Sequence, residues 1–278
     1  MSLNTQICRG AVAAHLRHPS RWPARLDLIQ SLSGLMLVLF IWGHMLLESS
    51  ILISKDAMFR VARFMDGYYV FGADYPFLIT CAAGMILTIF IVHAALAMRK
   101  FPESYRSYRA FRDHMTTFRH NDTSLWWMQV WTGFSLFFLG SVHMIAMMTR
   151  PGDIGPYESA DRIVSEWMWP VYALLLIAVH LHAGVGIYRL AVKWGLKVGP
   201  NPAANLQRLK LARWIIIGFF LLLGFTSLGV YIAIGIEHRD HKGEHYVPSW
   251  EHGTTQIDKP KQAAAALPKM SQLAGGES

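Results

Sequence analysis

Of the thirteen histidines in the chain, five, His44, His93, His143, His180 and His182, sit inside long apolar stretches. An ionisable side chain is expensive in hydrocarbon, so each is either a functional group or a neutral ring tied to a neighbouring helix by a hydrogen bond. Neutral imidazole is the commonest protein ligand for transition metals, which makes metal ligation the first chemistry to weigh. Several other chemistries have no residues to carry them. The two cysteines, Cys8 and Cys81, form no CxxC, which excludes a disulfide scaffold, cysteine zinc sites and cysteine-bound iron–sulfur clusters on this chain. Neither GxGxxG nor GxxxxGK followed by Ser or Thr occurs, so no dinucleotide or P-loop site is recognisable.

The elements that carry the histidines read as membrane spans. Hydrophobic residues make up 53% of the 278 residues and charged residues 16%, against roughly 25% charged in a soluble domain. Five apolar runs, approximately Leu28–Ser50, Pro76–Met98, Ser124–Thr149, Trp167–Leu190 and Trp214–Ile236, can each cross a hydrocarbon core of about 30 Å at about 1.5 Å per residue. The expected fold is an all-α membrane protein with five transmembrane helices. It divides into an N-terminal segment 1–27, a transmembrane domain 28–236 and a polar, flexible tail 237–278. No cleavable signal is recognisable, so the first span is expected to direct insertion.

The net charge of +8 would suit a nucleic-acid binder only if it were gathered on one soluble face. Instead, with the frayed helix ends included, Lys and Arg number four before the first span, six between the second and third, and six between the fourth and fifth, against three and two in the other loops. By the positive-inside rule the N-terminus is cytoplasmic and the C-terminus lies on the opposite, outer face, so the basic excess is a topology signal and not a nucleic-acid footprint. Arg106, Arg109 and Arg112 beside Tyr105, Tyr108 and Phe111 predict a cytoplasmic helix suited to anionic lipid or a soluble partner. On the outer side, Ala57–Asp66 reads as an interfacial helix.

Depth sorts the histidines. His44 and His143 lie on spans running inside to out and share a layer roughly 10 Å below the outer surface, whereas His93 and His182 share one roughly 10 Å from the inner surface. Low-spin haem iron needs two axial ligands on opposite sides of a flat macrocycle, and one histidine from each of four consecutive spans supplies two such pairs. Two stacked bis-histidine b haems with the first four helices bundled around them follow, and c-type attachment is excluded because no CxxCH exists. Gly34, Gly43, Gly84, Gly140, Gly184 and Gly186 would give the macrocycles room. Gln30, Ser31, Trp126 and Lys193 at the inner end and Arg162 in an outer loop are candidate haem-propionate contacts, with interfacial anchoring as the plainer role for Trp126 and Lys193.

The chain resembles the dihaem cytochrome b membrane subunit of quinol:fumarate reductases, a family related to succinate dehydrogenases. The resemblance runs from about Arg25 to Gly235. It is dense in HAALAMRKFP around His93, HNDTSLWWMQVWTGFSLFFLGSVHMIAMMT around His143, VSEWMWP, and LHAGVGIYRLAVKWG after His182. It implies His44 with His143 on a distal haem, His93 with His182 on a proximal one, and propionate contacts from Gln30, Ser31, Trp126, Arg162 and Lys193. It further implies menaquinol oxidation near the outer face of a bacterial inner membrane. Its partners would be an iron–sulfur subunit and a flavoprotein that reduces fumarate, in a complex that can pair as a dimer of heterotrimers. Two positions depart from the family. Asp66 stands where it has a glutamate implicated in quinol oxidation, and His180 where it has a glutamate linked to proton passage. Asp66 is accordingly the expected proton acceptor, with an ordinary loop carboxylate as its plain alternative. His180 is about 200° around the helix from His182, so it cannot share its iron, and is expected to hydrogen-bond a neighbouring helix rather than relay protons.

The same residues would serve succinate oxidation with quinone reduction, the reverse direction. A cytochrome b subunit of a hydrogenase or formate dehydrogenase fits the matching segments less well. A non-haem transporter using the histidines as a proton relay is the reading from another class.

Overall fold

The computed structural model describes residues 20–101, 104–117, 121–196 and 201–251, and every α or 3-10 element among them is helical, with no strand. In chain order the α-helices are α1 Trp22–Glu48, continued by a 3-10 turn Ser49–Leu52, α2 Lys55–Met65, α3 Tyr68–Phe71, α4 Phe77–Met98, α5 Tyr105–Thr117, α6 Asn121–Thr149, α7 Pro156–Val164, α8 Trp169–Lys193 and α9 Pro202–Glu237. Helices α1, α4, α6, α8 and α9 are long and apolar enough to cross a membrane. Many of their large side chains face outward, with Leu222, Phe77 and Trp131 68–73% exposed, a surface that lipid rather than water would cover.

The first four long helices form a ring in which α1 packs on α4, α4 on α6 and α6 on α8, while α9 lies outside against α8 and α7. Gly184 on α8 permits that approach, because a Cβ there would collide with the Ile217 side chain of α9. It serves helix packing and not the cavity side expected of it. At one end of the bundle, the buried cluster of Ile51, Met58, Ala160, Ile163, Leu228, Tyr231 and Ile234 joins the 3-10 turn, α2 and α7 to α9.

The helices outrun the apolar runs that announce them. Helix α9 starts at Pro202, well before Trp214, because Asn201 accepts from the Ala203 and Ala204 amides at 3.0 and 3.3 Å and Pro202 suits the first helical position. Lipid demands apolar side chains, but the helix itself needs only its backbone bonds, so it continues through polar turns. The interfacial helix forms as α2, capped by Ser54 accepting from the Ala57 amide at 3.0 Å. The basic helix forms as α5, with Arg106, Arg109 and Arg112 exposed; the Phe111 side chain lies outside the described residues. The short α7 was not foreseen. The tail expected to be loose is docked over residues 238–251, and its remainder, like residues 1–19, lies outside the described residues.

Candidate functional site

A cavity of about 1330 Å³ runs through the ring of α1, α4, α6 and α8, larger than the roughly 300–1,000 Å³ of a pocket for one small ligand. His44, His93, His143 and His182 line it, and His180 does not.

At the end covered by α2 and α7, the rings of His44 on α1 and His143 on α6 lie with centres 6.1 Å apart and planes tilted by 48°. Phe40 stacks on His44 at 5.7 Å, and Tyr172 stands edge-on to His143 at 5.5 Å. His143 Nδ1 is buried without a hydrogen bond. Two imidazoles bound to one iron through bonds of about 2 Å would have ring centres about 6.4 Å apart, so the observed spacing admits a metal between them. Among the described residues no three His, Cys, Asp or Glu side chains converge as a metal site. A donor set of imidazole pairs suits a macrocycle that brings its own four equatorial donors, and the residues therefore fit haem.

At the other end, two histidines are cradled in matching ways. His93 on α4 donates Nδ1–H to the Gln30 carbonyl of α1 at 3.2 Å and lies 3.2 Å from Ser33 Oγ. His182 on α8 donates Nδ1–H to the Gln129 carbonyl of α6 at 3.1 Å and lies 3.1 Å from Thr132 Oγ1. A carbonyl can only accept, so these bonds fix the proton on Nδ1 and leave the Nε2 lone pair available as a ligand. The next residue on each supporting helix is glycine. A Cβ on Gly34 would come 2.8 Å from His93 Cε1, and one on Gly133 would come 3.1 Å from His182 Cε1. Neither Gln129, Thr132 nor Gly133 was singled out from the sequence. The signal was available as Gln-x-x-Ser/Thr-Gly in both QSLSG and QVWTG, each followed by its helix's own histidine, His44 or His143.

Gln30, Ser31, Trp126 and Lys193 all lie on the cavity wall. Gln30 Oε1 is buried without a partner, while Lys193 donates to Ser31 Oγ at 2.7 Å and pairs with Asp27. Lys100, which the sequence did not single out, also pairs with Asp27, at 2.5 Å. Two ammonium groups thus converge on one carboxylate, an arrangement that also suits haem carboxylates. Arg162 stands apart at the α2/α7 end, buried, donating to the Asp153 carbonyl and lying 3.7 Å from Met147 Sδ.

Asp66 caps the C-terminus of α2, its carbonyl accepting from the Tyr75 amide at 2.9 Å. Its side chain is not on the cavity wall, although Phe64 and Met65 before it are. Asp66 Oδ1 is buried and unpaired. Burial, with help from the Asp74 charge and against the opposing pull of Arg63, raises its pKa to about 6. Glu48, one turn beyond His44, lines the cavity and faces the buried Tyr231 hydroxyl; it was missed because it ends an apolar run and reads as a boundary charge. His180 points between α8 and α9 and stacks on Phe220 at 5.5 Å. The hydrogen bond expected of it is not made, and both ring nitrogens are buried without partners.

Residues 105–236 match the family model described as "Succinate dehydrogenase/Fumarate reductase transmembrane subunit". The chain is 46% identical over 224 residues to the "Fumarate reductase cytochrome b subunit" of Wolinella succinogenes, covering 81% of this chain and 88% of that protein. It is 44% identical over 218 residues to the protein of the same name from Helicobacter pylori strain J99, covering 78% of this chain and 84% of that one. At that identity and coverage, and with five candidate spans of which four each carry a cavity-lining histidine, the chain belongs to the succinate dehydrogenase/fumarate reductase transmembrane subunits, as a cytochrome b membrane subunit of the fumarate reductase family.

Proposed function

We propose that His44 with His143, and His93 with His182, hold two b haems, and that the chain carries electrons from menaquinol at the α2/α7 end to an iron–sulfur and flavoprotein partner that reduces fumarate at the other. The observation carrying this reading is one cavity through the ring with two imidazoles lining each end. When bound, haem supplies reversible one-electron transfer. The chain's own residues do the rest. Carbonyls of Gln30 and Gln129 aim the inner imidazoles, Lys193, Lys100 and Arg162 offset anionic charge at the two ends, and the apolar wall excludes water. Menaquinol loses two electrons and two protons on becoming menaquinone; Asp66 accepts one of the protons while ionised, and the other passes to water at the outer face. The charge asymmetry of the loops supports an N-terminus in the cytoplasm and a quinol end outside, and the bacterial relatives support an inner-membrane location. His180, held dry against Phe220, fills the helix interface and carries no proton in this scheme.

The test is the purified complex. Reduced-minus-oxidised spectra should give two b haems per chain, flavin and iron–sulfur should co-purify, and menaquinol should drive fumarate reduction. A chain without haem would favour the transporter reading.

A further inference from the structure

The segment after α9 turns back over the α2/α7 end, where three carboxylates on two short helices hold it. Asp161 of α7 accepts from His238 Nδ1 at 3.1 Å and from the Gly243 amide at 2.9 Å. Glu158, nearly one turn earlier, accepts from His245 Nδ1 at 2.9 Å and from the Tyr246 amide at 3.3 Å. Asp56, in the first turn of α2, accepts from the Tyr246 hydroxyl at 2.8 Å, the Ser249 amide at 3.0 Å and the Ser249 hydroxyl at 2.5 Å. Ring contacts repeat the pattern. His238 stacks on Tyr157 of α7 at 4.1 Å, while Tyr246 and Trp250 lie 5.8 and 6.1 Å from Phe59 of α2. Arg60 of α2 sits over the Trp250 ring at 4.7 Å.

Helices of 11 and 9 residues, the lengths of α2 and α7, do not persist alone in water, so their placement depends on what grips them. Helix α7 has a second grip: α9 approaches it so closely that a Cβ on Gly235 would lie 2.7 Å from the Ala160 carbonyl oxygen. Helix α2 is gripped through Met58 and by the segment. Both helices wall the cavity, through Phe64 and Met65 on α2 and through Ser159, Arg162 and Ile163 on α7. Asp161 directly precedes Arg162, and Asp66 ends α2.

We propose that residues 238–251 are a clasp that ties α2 to α7 through Asp56, Glu158 and Asp161 and so positions Arg162 and Asp66 for the quinol half-reaction. The tie stands on the geometry above; its effect on quinol rests on the function proposed in the preceding subsection.

The double variant Tyr246→Phe/Ser249→Ala in the intact complex removes both hydroxyl donors to Asp56 and touches no residue of the cavity wall. Amide hydrogen exchange should speed up in residues 244–251 and across α2. The KM for a menaquinol analogue should rise roughly ten- to a hundredfold, the scale of a displaced binding group. The b-haem spectra and fumarate reduction by an artificial donor to the soluble subunits should stay as in the native complex. Native exchange in α2 overturns the clasp, and faster exchange with a native KM overturns its positioning role. If the double variant does not assemble, Asp56→Asn weakens the same bonds without shortening the side chain and gives both readings. A native complex with no quinol activity would defeat the proposed function, and the exchange measurement would still judge the tie.

Discussion

His44 and His143 are set 6.1 Å apart by neighbours that do not depend on a ligand, Phe40 on one side and Tyr172 on the other. Removing one ring should therefore leave the other in place with half its donor set. His44→Ala or His143→Ala should lose the low-spin haem of that end and keep the second, read as one b haem per chain with one midpoint potential; retention of two would remove that residue from the ligand set. Asp66 is a different kind of group, because the role proposed for it depends on protonation. Its pKa of about 6 lies above the ordinary value of 3.8, chiefly through burial. Below that pH the carboxyl already holds a proton and cannot accept another, so quinol oxidation should fall as pH drops through about 6, while electron entry from an artificial donor to the soluble subunits stays flat. Asp66→Asn should abolish quinol oxidation at every pH with haem spectra intact. Normal turnover in that variant would return Asp66 to an ordinary capping carboxylate.

Elements set what these residues can do. Helices α1 and α6 each offer a carbonyl, a hydroxyl and a missing Cβ to a histidine on the next helix, so the inner imidazoles are oriented by backbone. Gly34→Leu or Gly133→Leu should displace the His93 or His182 ring, cost about 1–3 kcal/mol by overpacking, and lose the inner haem while the His44/His143 haem survives. Redox titration separates that from collapse of the bundle, in which both are lost. The clasp also responds to acid. Hydrogen bonds from the Ser249 hydroxyl, its amide and the Tyr246 hydroxyl hold the Asp56 carboxyl below 3.8. A lowered carboxyl pKa contributes stability that is complete above the unfolded value and disappears as pH falls through the folded one. In a segment also held by the His238–Asp161 and His245–Glu158 pairs, the Asp56 share of the protection, read as the difference in exchange of residues 244–251 between the native protein and Tyr246→Phe/Ser249→Ala, should thus be complete above the unfolded value of 3.8 and decline only below it; a difference that disappears nearer neutrality would show that Asp56 is not the group responsible.

At the scale of the whole molecule, exposed apolar side chains on five long helices suit a membrane, and loop charge is the basis of the proposed orientation. A cysteine placed at the exposed His241 should react with a membrane-impermeant thiol reagent added outside, and one at Ser107 only after permeabilisation, in a background with Cys8 and Cys81 changed to serine. The opposite pattern would invert the proposed path of electrons. The five spans, the helical interfacial segment and the two histidine layers were all readable because each rests on a one-dimensional rule. An apolar run of fixed length crosses a bilayer, and a residue's depth is its distance from the helix end along the chain.

Facing across the bundle obeys no such rule. The amino-acid sequence by itself determined that His44 and His143 share a depth. Only the tertiary structure decided that their rings meet, because rotation of each helix about its axis is set by packing against neighbours. His180 shows the same limit, since its helix and depth were legible but its stacking on Phe220, without any hydrogen bond, depends on how α9 closes over Gly184. So do α7 and the docked segment 238–251. Helix α7 is only nine residues long and its apolar face, Tyr157, Ala160 and Ile163, becomes meaningful only against α9; the segment is polar, and its order comes from carboxylates more than seventy residues away along the chain. Local pattern determines which segments enter the membrane; long-range pairing of groups that look ordinary in sequence decides what closes its ends.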